Sequence, residues 1–293
     1  SHANGEGVSL SSLSTSMSDL VDQAVHEVSG FKKTVASGHF RVVVQPIVGA
    51  RNGAIHHYEA LCRFNKSGNG QTSPFQQIQF AEETGLIHEF DLAMAGQVVN
   101  WLAQQPRDMP GLKLAVNVSG NSVGTEAFIR GLHKLLAEND WARGRLLFEI
   151  TESSRMSDLE SANRFIQGVR ERGFPVCLDD LGAGAASFRY LSALKVDYVK
   201  LDGKAIAHAR NADTGKAFLS ALVELCHRLG TKTIAEMIDE TEGLNFVREC
   251  GVDYVQGFLF GRPSPKLKDF APLPNGNLFR APPASKTSRS WAS

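Results

Sequence analysis

From His39 onward, short apolar runs alternate with longer segments in which apolar residues recur every three or four positions. The first pattern predicts strands and the second amphipathic helices. Strands are expected over 40–47, 55–63, 112–119, 146–151, 175–181, 197–202, 232–238 and 253–260. Helices are expected between them over 88–104, 123–138, 157–172, 213–229 and 240–250. Gly173, Gly230 and Gly251 follow three of these helices, where a left-handed residue closes the last turn. Eight strands alternating with helices predict an α/β fold, a (β/α)8 TIM-like barrel over 39–266, rather than an open sheet. An open doubly wound sheet carries a Gly-rich phosphate loop after its first strand, and here Gln45-Pro46-Ile47-Val48 stands at that place. The first two strands are joined by Gly49 to Ala54 with Asn52-Gly53 inside, a hairpin signal, so one strand is expected to run antiparallel to the rest.

The flanks read differently. Residues 1–17 are Ser/Gly-rich and expected to be loose, with Ser18 capping a helix over 18–38. On that helix Leu20, Val21, Ala24, Val25, Val28, Phe31 and Val35 share one face, which is expected to pack on the main domain; a coiled-coil or linker helix is the alternative. Residues 267–293 form a Pro/Ser/basic tail without periodicity.

Polar groups interrupt the strands near their ends. The second strand carries Glu59 and Arg63, the third Asn117 and the fourth Glu149. The fifth carries Asp179-Asp180, the sixth Lys200 and Asp202, the seventh Glu236 and the eighth Gln256. In this architecture functional side chains come from the C-terminal strand ends. Glu59, Glu149, Asp179, Asp180 and Glu236 make five carboxylates that repel one another if brought to one rim, and Lys200 with Arg63 cannot neutralise them. Divalent cations can. Oxygen ligands with one amide, from Asn117, and no His or Cys indicate Mg²⁺ or Mn²⁺ rather than Zn²⁺. Asp179 and Asp180 suit two ions, because strand alternation relaxes beyond the strand end, and a pair of ions activates a water for in-line attack on phosphorus. The same residues leave another chemistry open, with Lys200 as the base or Schiff-base amine of an enolase-like or aldolase-like lyase. His56-His57, just before Glu59, point to opposite faces of a regular strand and read as packing or solvent-facing residues.

Composition narrows the field. Lys+Arg and Asp+Glu are equal at 31 each, so no basic field indicates a nucleic acid polymer. Cys62, Cys177, Cys226 and Cys250 lack metal-ligand spacing and read as reduced core thiols of a cytoplasmic protein. No apolar run approaches the roughly 18 residues of a membrane span. The chain opens Ser1-His2-Ala3-Asn4 without Met, and is expected to have been cut from a longer protein, with a membrane tether in the missing part left open.

These residues also carry a resemblance. Gln45-Pro46-Ile47, Glu59-Ala60-Leu61-Cys62-Arg63, Asn117-Val118-Ser119, Glu149-Ile150-Thr151-Glu152-Ser153, Asp179-Asp180, Lys200-Leu201-Asp202, Ala235-Glu236 and Asp253-Tyr254-Val255-Gln256-Gly257 stand in order along roughly 39–266. The sequence resembles the EAL-domain family, phosphodiesterases and receptors for the bacterial second messenger cyclic di-GMP. The resemblance implies hydrolysis of cyclic di-GMP to linear pGpG, with Glu59, Asn117, Glu149, Asp179, Asp180 and Glu236 at a two-metal site. It implies that Lys200 holds or activates the attacking water, with Gln256 assisting. Arg63 would grip a phosphate, Gln45, Leu61 and Asp202 would line the substrate pocket, and Glu152 would brace the loop after Asp180. It further implies a homodimer and an upstream sensor or GGDEF-type module. The alternative within the family is a non-catalytic cyclic di-GMP receptor signalling through its N-terminal helix. Two departures stand out: Leu181-Gly182-Ala183-Gly184 where the family has Phe-Gly-Thr-Gly, and Met237-Ile238-Asp239 where it has Gly-Val-Glu. The first is expected to loosen the loop, and the shorter Asp239 to hold its partner less well.

Overall fold

An antiparallel hairpin opens the barrel. In the computed structural model, which describes residues 10–64, 73–105, 109, 111–151, 158–182 and 185–279, Phe40–Gly49 (β1) pairs with Ile55–Phe64 (β2), from Phe40 opposite Phe64 to Val48 opposite Ile55. The turn has Gly53 at φ +66°, and Asn52 Oδ1 accepts from the Ala54 amide. These are the devices an Asn-Gly pair brings to a hairpin. The register slips near the turn. Ile47 pairs with His57 and Val48 with Ile55, so His56 is the extra residue of a bulge.

The chain then alternates helix and strand. Pro74–Glu83 (α2) and Ile87–Ala103 (α3) lead to Leu114–Ser119 (β3). Gly120–Val123 (α4) and Glu126–Glu138 (α5) lead to Leu146–Thr151 (β4), and Leu159–Arg170 (α6) leads to Val176–Leu181 (β5). Ala185–Ala193 (α7) precedes Tyr198–Leu201 (β6), Gly203–Asn211 (α8) and Gly215–Arg228 (α9) precede Lys232–Ala235 (β7), and Thr241–Glu249 (α10) precedes Tyr254–Gln256 (β8). Strands β2 to β8 are parallel neighbours in sequence order, and β8 closes antiparallel on β1 with Ile47 opposite Gln256. The eight-stranded closed barrel with one reversed strand is the fold the alternation predicted.

Strand β7 stops at Ala235, short of its predicted end at 238, and the reason is local. Met237 has φ +55°, a left-handed backbone that cannot extend β7 beyond Ala235. The last turns of α6, α9 and α10 do end on Gly173, Gly230 and Gly251 at positive φ, as expected. Helix α2 lies outside the helical segments named from the sequence. It begins with a complete capping box, Ser73 accepting from the Gln76 amide and Gln76 from the Ser73 amide, with Pro74 in its first turn. Helices α7 and α8 also lie outside the helical segments named from the sequence.

The N-terminal helix (α1, Leu10–Ala36) starts eight residues earlier than read, so Ser18 lies inside it rather than at its start, and residues 10–17 are helical rather than loose. Leu10, Leu13 and Met17 extend the apolar period upstream of Leu20, which a Ser-rich composition hid. Its apolar stripe divides. Phe31 packs among Phe64, Phe80 and Phe90 with ring centroids 6.0–6.3 Å away, and Val35 is buried. Val21 and Val25 are 56% and 63% exposed. The tail hugs the barrel as far as Phe279: Ser264 bridges to Val44, Phe270 is buried, and Phe279 lies under Arg248 at 4.8 Å. All four cysteines are buried free thiols, and among the described residues no helix is long and apolar enough to cross a membrane.

Helices and the outer strand faces make the main core. The floor of the barrel interior is apolar, where Ile47, Cys177 and Ile234 pack with Tyr198 and Tyr254. Above that layer the interior turns polar.

Candidate active site

Inward-facing positions of successive strands alternate by two, so one register places the polar residues at one level of the barrel. Gln45 lies opposite Glu59, Asn117 opposite Glu149, and Lys200 opposite Ile234 one step below Glu236. At the centre is Lys200. Its side chain is 1% exposed, and its Nζ is 2.8 Å from Glu236 Oε1, 3.0 Å from Glu149 Oε2, 3.3 Å from Asp179 Oδ1 and 3.6 Å from Glu59 Oε2. The single lysine thus serves four of the five carboxylates. Burial opposes its charge, but Asp179, Glu149, Glu236 and Glu59 together hold its pKa well above the ordinary lysine value. An amine held protonated is no Schiff-base nucleophile, which counts against the lyase chemistry.

The carboxylates are not equivalent. Burial works against the charge of Glu59, yet Lys200 and hydrogen bonds from Asn117 Nδ2 (2.7 Å) and Gln256 Nε2 (2.6 Å) keep its pKa below the usual range. Burial dominates at the others. It raises Glu149 well above its ordinary value, Asp179 to about 7, and Glu236 and Asp180 in the same direction, each against the pull of Lys200. One positive charge is too little for this cluster.

Asp180 follows Asp179 with φ +59°, and the β5–β6 register slips between Leu178 and Leu181. This left-handed residue breaks the alternation, and Asp179, Asp180 and Glu236 bring oxygen atoms within 4.8 Å of one another. That group is able to hold a divalent cation. Asn117 Oδ1 is buried and has no hydrogen-bond partner among the described residues. A buried acceptor left bare beside carboxylates, in an all-oxygen set, fits a hard cation.

Gln45 donates to the Gly261 carbonyl and accepts from Gln256 Nε2 at 3.3 Å, so it orders Gln256 behind Glu59. A cleft of 620 Å³ opens from this rim toward α2, lined by Glu59, Leu61, Arg63, Asn117, Asp179 and Asp180 and by Phe75 and Gln79 of the helix. That volume lies in the range of small-ligand sites. Asp202 is not among the lining residues; it caps α8, its carboxylate accepting from the Lys204 amide at 3.0 Å. Glu152, Ala183 and Gly184 fall outside the described residues. Asp239, expected to hold weakly, accepts from the Phe258 amide at 2.7 Å and ties the end of β7 to the loop after β8.

One contributor was missed. Asp91 of α3 is buried and accepts from the Ser119 amide (2.8 Å) and the Ser122 hydroxyl (2.7 Å), fixing the turn after Asn117. The signal was a lone Asp among Ile87, Phe90, Met94 and Ala95 on a buried helix face. Burial pushes its carboxyl up to about 7 despite those hydrogen bonds. The native chain keeps this proton to higher pH than the unfolded chain, whose Asp titrates near 4. The stabilisation is therefore complete below about pH 4 and is lost as pH rises through about 7, a change of up to about 4 kcal/mol. Asp91→Asn is expected to remove that part of the slope, matching the parent at pH 4 and exceeding it at pH 8 in urea midpoints.

Comparisons with known proteins agree with this geometry. The EAL domain family model matches residues 30–263. The cyclic di-GMP phosphodiesterase PdeF of Escherichia coli is 30% identical over 239 residues, covering 80% of this chain and 31% of PdeF. The cyclic di-GMP phosphodiesterase PdeB of Shewanella oneidensis is 30% identical over 222 residues, covering 75% of this chain and 26% of PdeB. This chain thus spans about a third or less of the length of these relatives. Among solved structures, the PaMucR phosphodiesterase in complex with c-di-GMP superposes with a TM-score of 0.71 at 27% identity, covering 84% of this chain and 99% of that one. The match to the family model over most of its length shows that the chain belongs to the EAL-domain family.

Proposed function

We propose that this chain hydrolyses cyclic di-GMP to linear pGpG with Mg²⁺ or Mn²⁺ held by the rim carboxylates. The observation that carries the reading is the buried ring of carboxylates about Lys200, beside the unpartnered Asn117 Oδ1 and open to the cleft. The family supports the substrate, since relatives sharing 30% identity are named as cyclic di-GMP phosphodiesterases. Asp179, Asp180 and Glu236, with Glu59, Asn117 and Glu149, would hold two ions. Such ions supply the charge that makes a water acidic enough to attack at neutral pH and neutralise developing charge on phosphorus.

The chain's own residues do the rest in this reading. Lys200, held protonated, donates to the attacking water and orients it; it does not remove the proton. Gln256, ordered by Gln45, holds Glu59 in one rotamer. Arg63 and Leu61 receive the substrate in the cleft, Arg63 as a charge partner for phosphate. The test is direct. Purified chain incubated with cyclic di-GMP and either ion is expected to release pGpG, and none without a divalent ion. Binding without product in Mn²⁺ would make the chain a receptor instead.

A further inference from the structure

Two buried polar atoms beneath the rim face each other without a partner. Among the described residues His57 Nε2 and Glu149 Oε1 have no hydrogen-bond partner, and they lie 3.7 Å apart. That gap is too short for a water between them, since two contacts of about 2.8 Å at a tetrahedral angle span roughly 4.6 Å. Leaving either atom bare is costly, and closing the gap by under about an ångström relieves both.

The contacts continue away from the rim. His57 Nδ1 is 2.7 Å from His56 Nδ1, and His56 Nε2 is 3.3 Å from Tyr198 Oη. Two successive residues of a regular strand could not both reach the floor. His56 does so because it is the bulged residue, and it lies against Tyr254 and Tyr198 with centroids 4.3 and 5.3 Å away. Sequence alternation had put the two rings on opposite faces, and the bulge overturns that. Two Nδ1 atoms 2.7 Å apart leave room for only one proton between them.

A neutral imidazole has one N–H, so one of the two Nδ1 atoms is the donor. If His57 donates from Nδ1, its Nε2 turns a lone pair toward the Glu149 carboxylate. If His56 donates from Nδ1, its Nε2 accepts from the Tyr198 hydroxyl and His57 carries its proton on Nε2, facing Glu149. With Glu149 ionised, as a metal ligand must be, only the second arrangement satisfies every member.

We propose that Tyr198, His56 and His57 form a one-way hydrogen-bond string on the barrel floor, and that His57 is a positioning residue that donates from Nε2 to Glu149 Oε1. It leaves Oε2, the atom on the Lys200 side, turned to the rim for a cation. The inference rests on the metal reading above and deepens it. A donor of this kind orients a carboxylate ligand and favours its ionised, metal-binding form.

The tautomer is tested on histidine-labelled parent chain loaded with Mg²⁺. Nitrogen-15 spectra are expected to show His57 protonated at Nε2, assigned by the signals lost in His57→Gln. Calorimetric titration with Mg²⁺ is the second arm. His57→Phe, which keeps the volume without a donor, is expected to bind about 10–100-fold more weakly, and His57→Gln to return to within about threefold of the parent. Where His57→Phe does not fold, Tyr198→Phe removes only the hydroxyl at the far end, and a loss of the same sign is expected together with an Nδ1-protonated fraction of His57. Parental affinity in a folded His57→Phe, or His57 protonated at Nδ1 in the loaded parent, overturns the proposal. A parent that binds no divalent ion overturns the metal reading and this inference together, and is told apart because parent and variants then behave alike.

Discussion

Glu59→Gln is expected to lower the rate of cyclic di-GMP hydrolysis by about 1000-fold, the scale of losing one preorganised electrostatic group in a closed site. The effect is large because Glu59 is surrounded by donors. Asn117 Nδ2, Gln256 Nε2 and Lys200 Nζ all point at it. An amide there must set its own N–H groups against one of them, which leaves a buried donor without an acceptor. It also removes the rim carboxylate whose pKa is held below the ordinary range, the one most ready to meet a cation without first releasing a proton. Product formation and Mg²⁺ affinity, measured on the same sample, check both losses. A variant that hydrolyses at the parental rate would remove Glu59 from the catalytic machinery.

Lys200→Met should act on stability as well as on rate. Taking out one partner of a buried ionic cluster costs about 3–5 kcal/mol, because the charges left behind have nothing to pair with. For a domain of this size that lowers the melting temperature by about 10 °C. The sign with pH follows from the carboxylates. Burial already raises Glu149, Asp179 and Glu236, and losing Lys200 raises them further. Groups whose native pKa is raised stabilise at low pH and lose that contribution as pH rises through the native value. The deficit relative to the parent is therefore expected to be small at pH 5, where these groups hold protons, and to widen toward pH 8. Adding Mg²⁺ is expected to recover part of it, since a cation supplies the charge the lysine had. Thermal melts at the two pH values, with and without Mg²⁺, check this. A deficit that is greatest at pH 5 would contradict the assigned role of Lys200.

Much of this architecture was legible before any coordinates. Strand and helix periods alternate cleanly, so the barrel and its reversed strand follow from local pattern and one Asn-Gly turn. The polar interruptions were legible for the same reason: Glu59, Glu149 and Lys200 stand out because everything around them is apolar. Their meeting could be expected, since a barrel brings its strand ends together. The roles within the meeting could not. Lys200 was read as one inadequate counterion, and inadequate it is, but its contact with four carboxylates at once was not legible. Nor did the strand pattern show that Asp202 caps a helix.

What the sequence determined by itself is what depends on neighbours along the chain: helix and strand periods, turns, glycine caps, and the identities of the rim residues. What only the tertiary structure decided depends on pairing across the chain. Asp91 reaches Ser119 from 28 residues away, and Lys200 reaches Glu149 from 51. Tyr198 reaches His56 from 142, through a bulge that exists only because β1 and β2 slip against each other near their turn. A one-residue slip changes which side of a strand faces inward, and no period read along a single segment records how that segment registers against its partner.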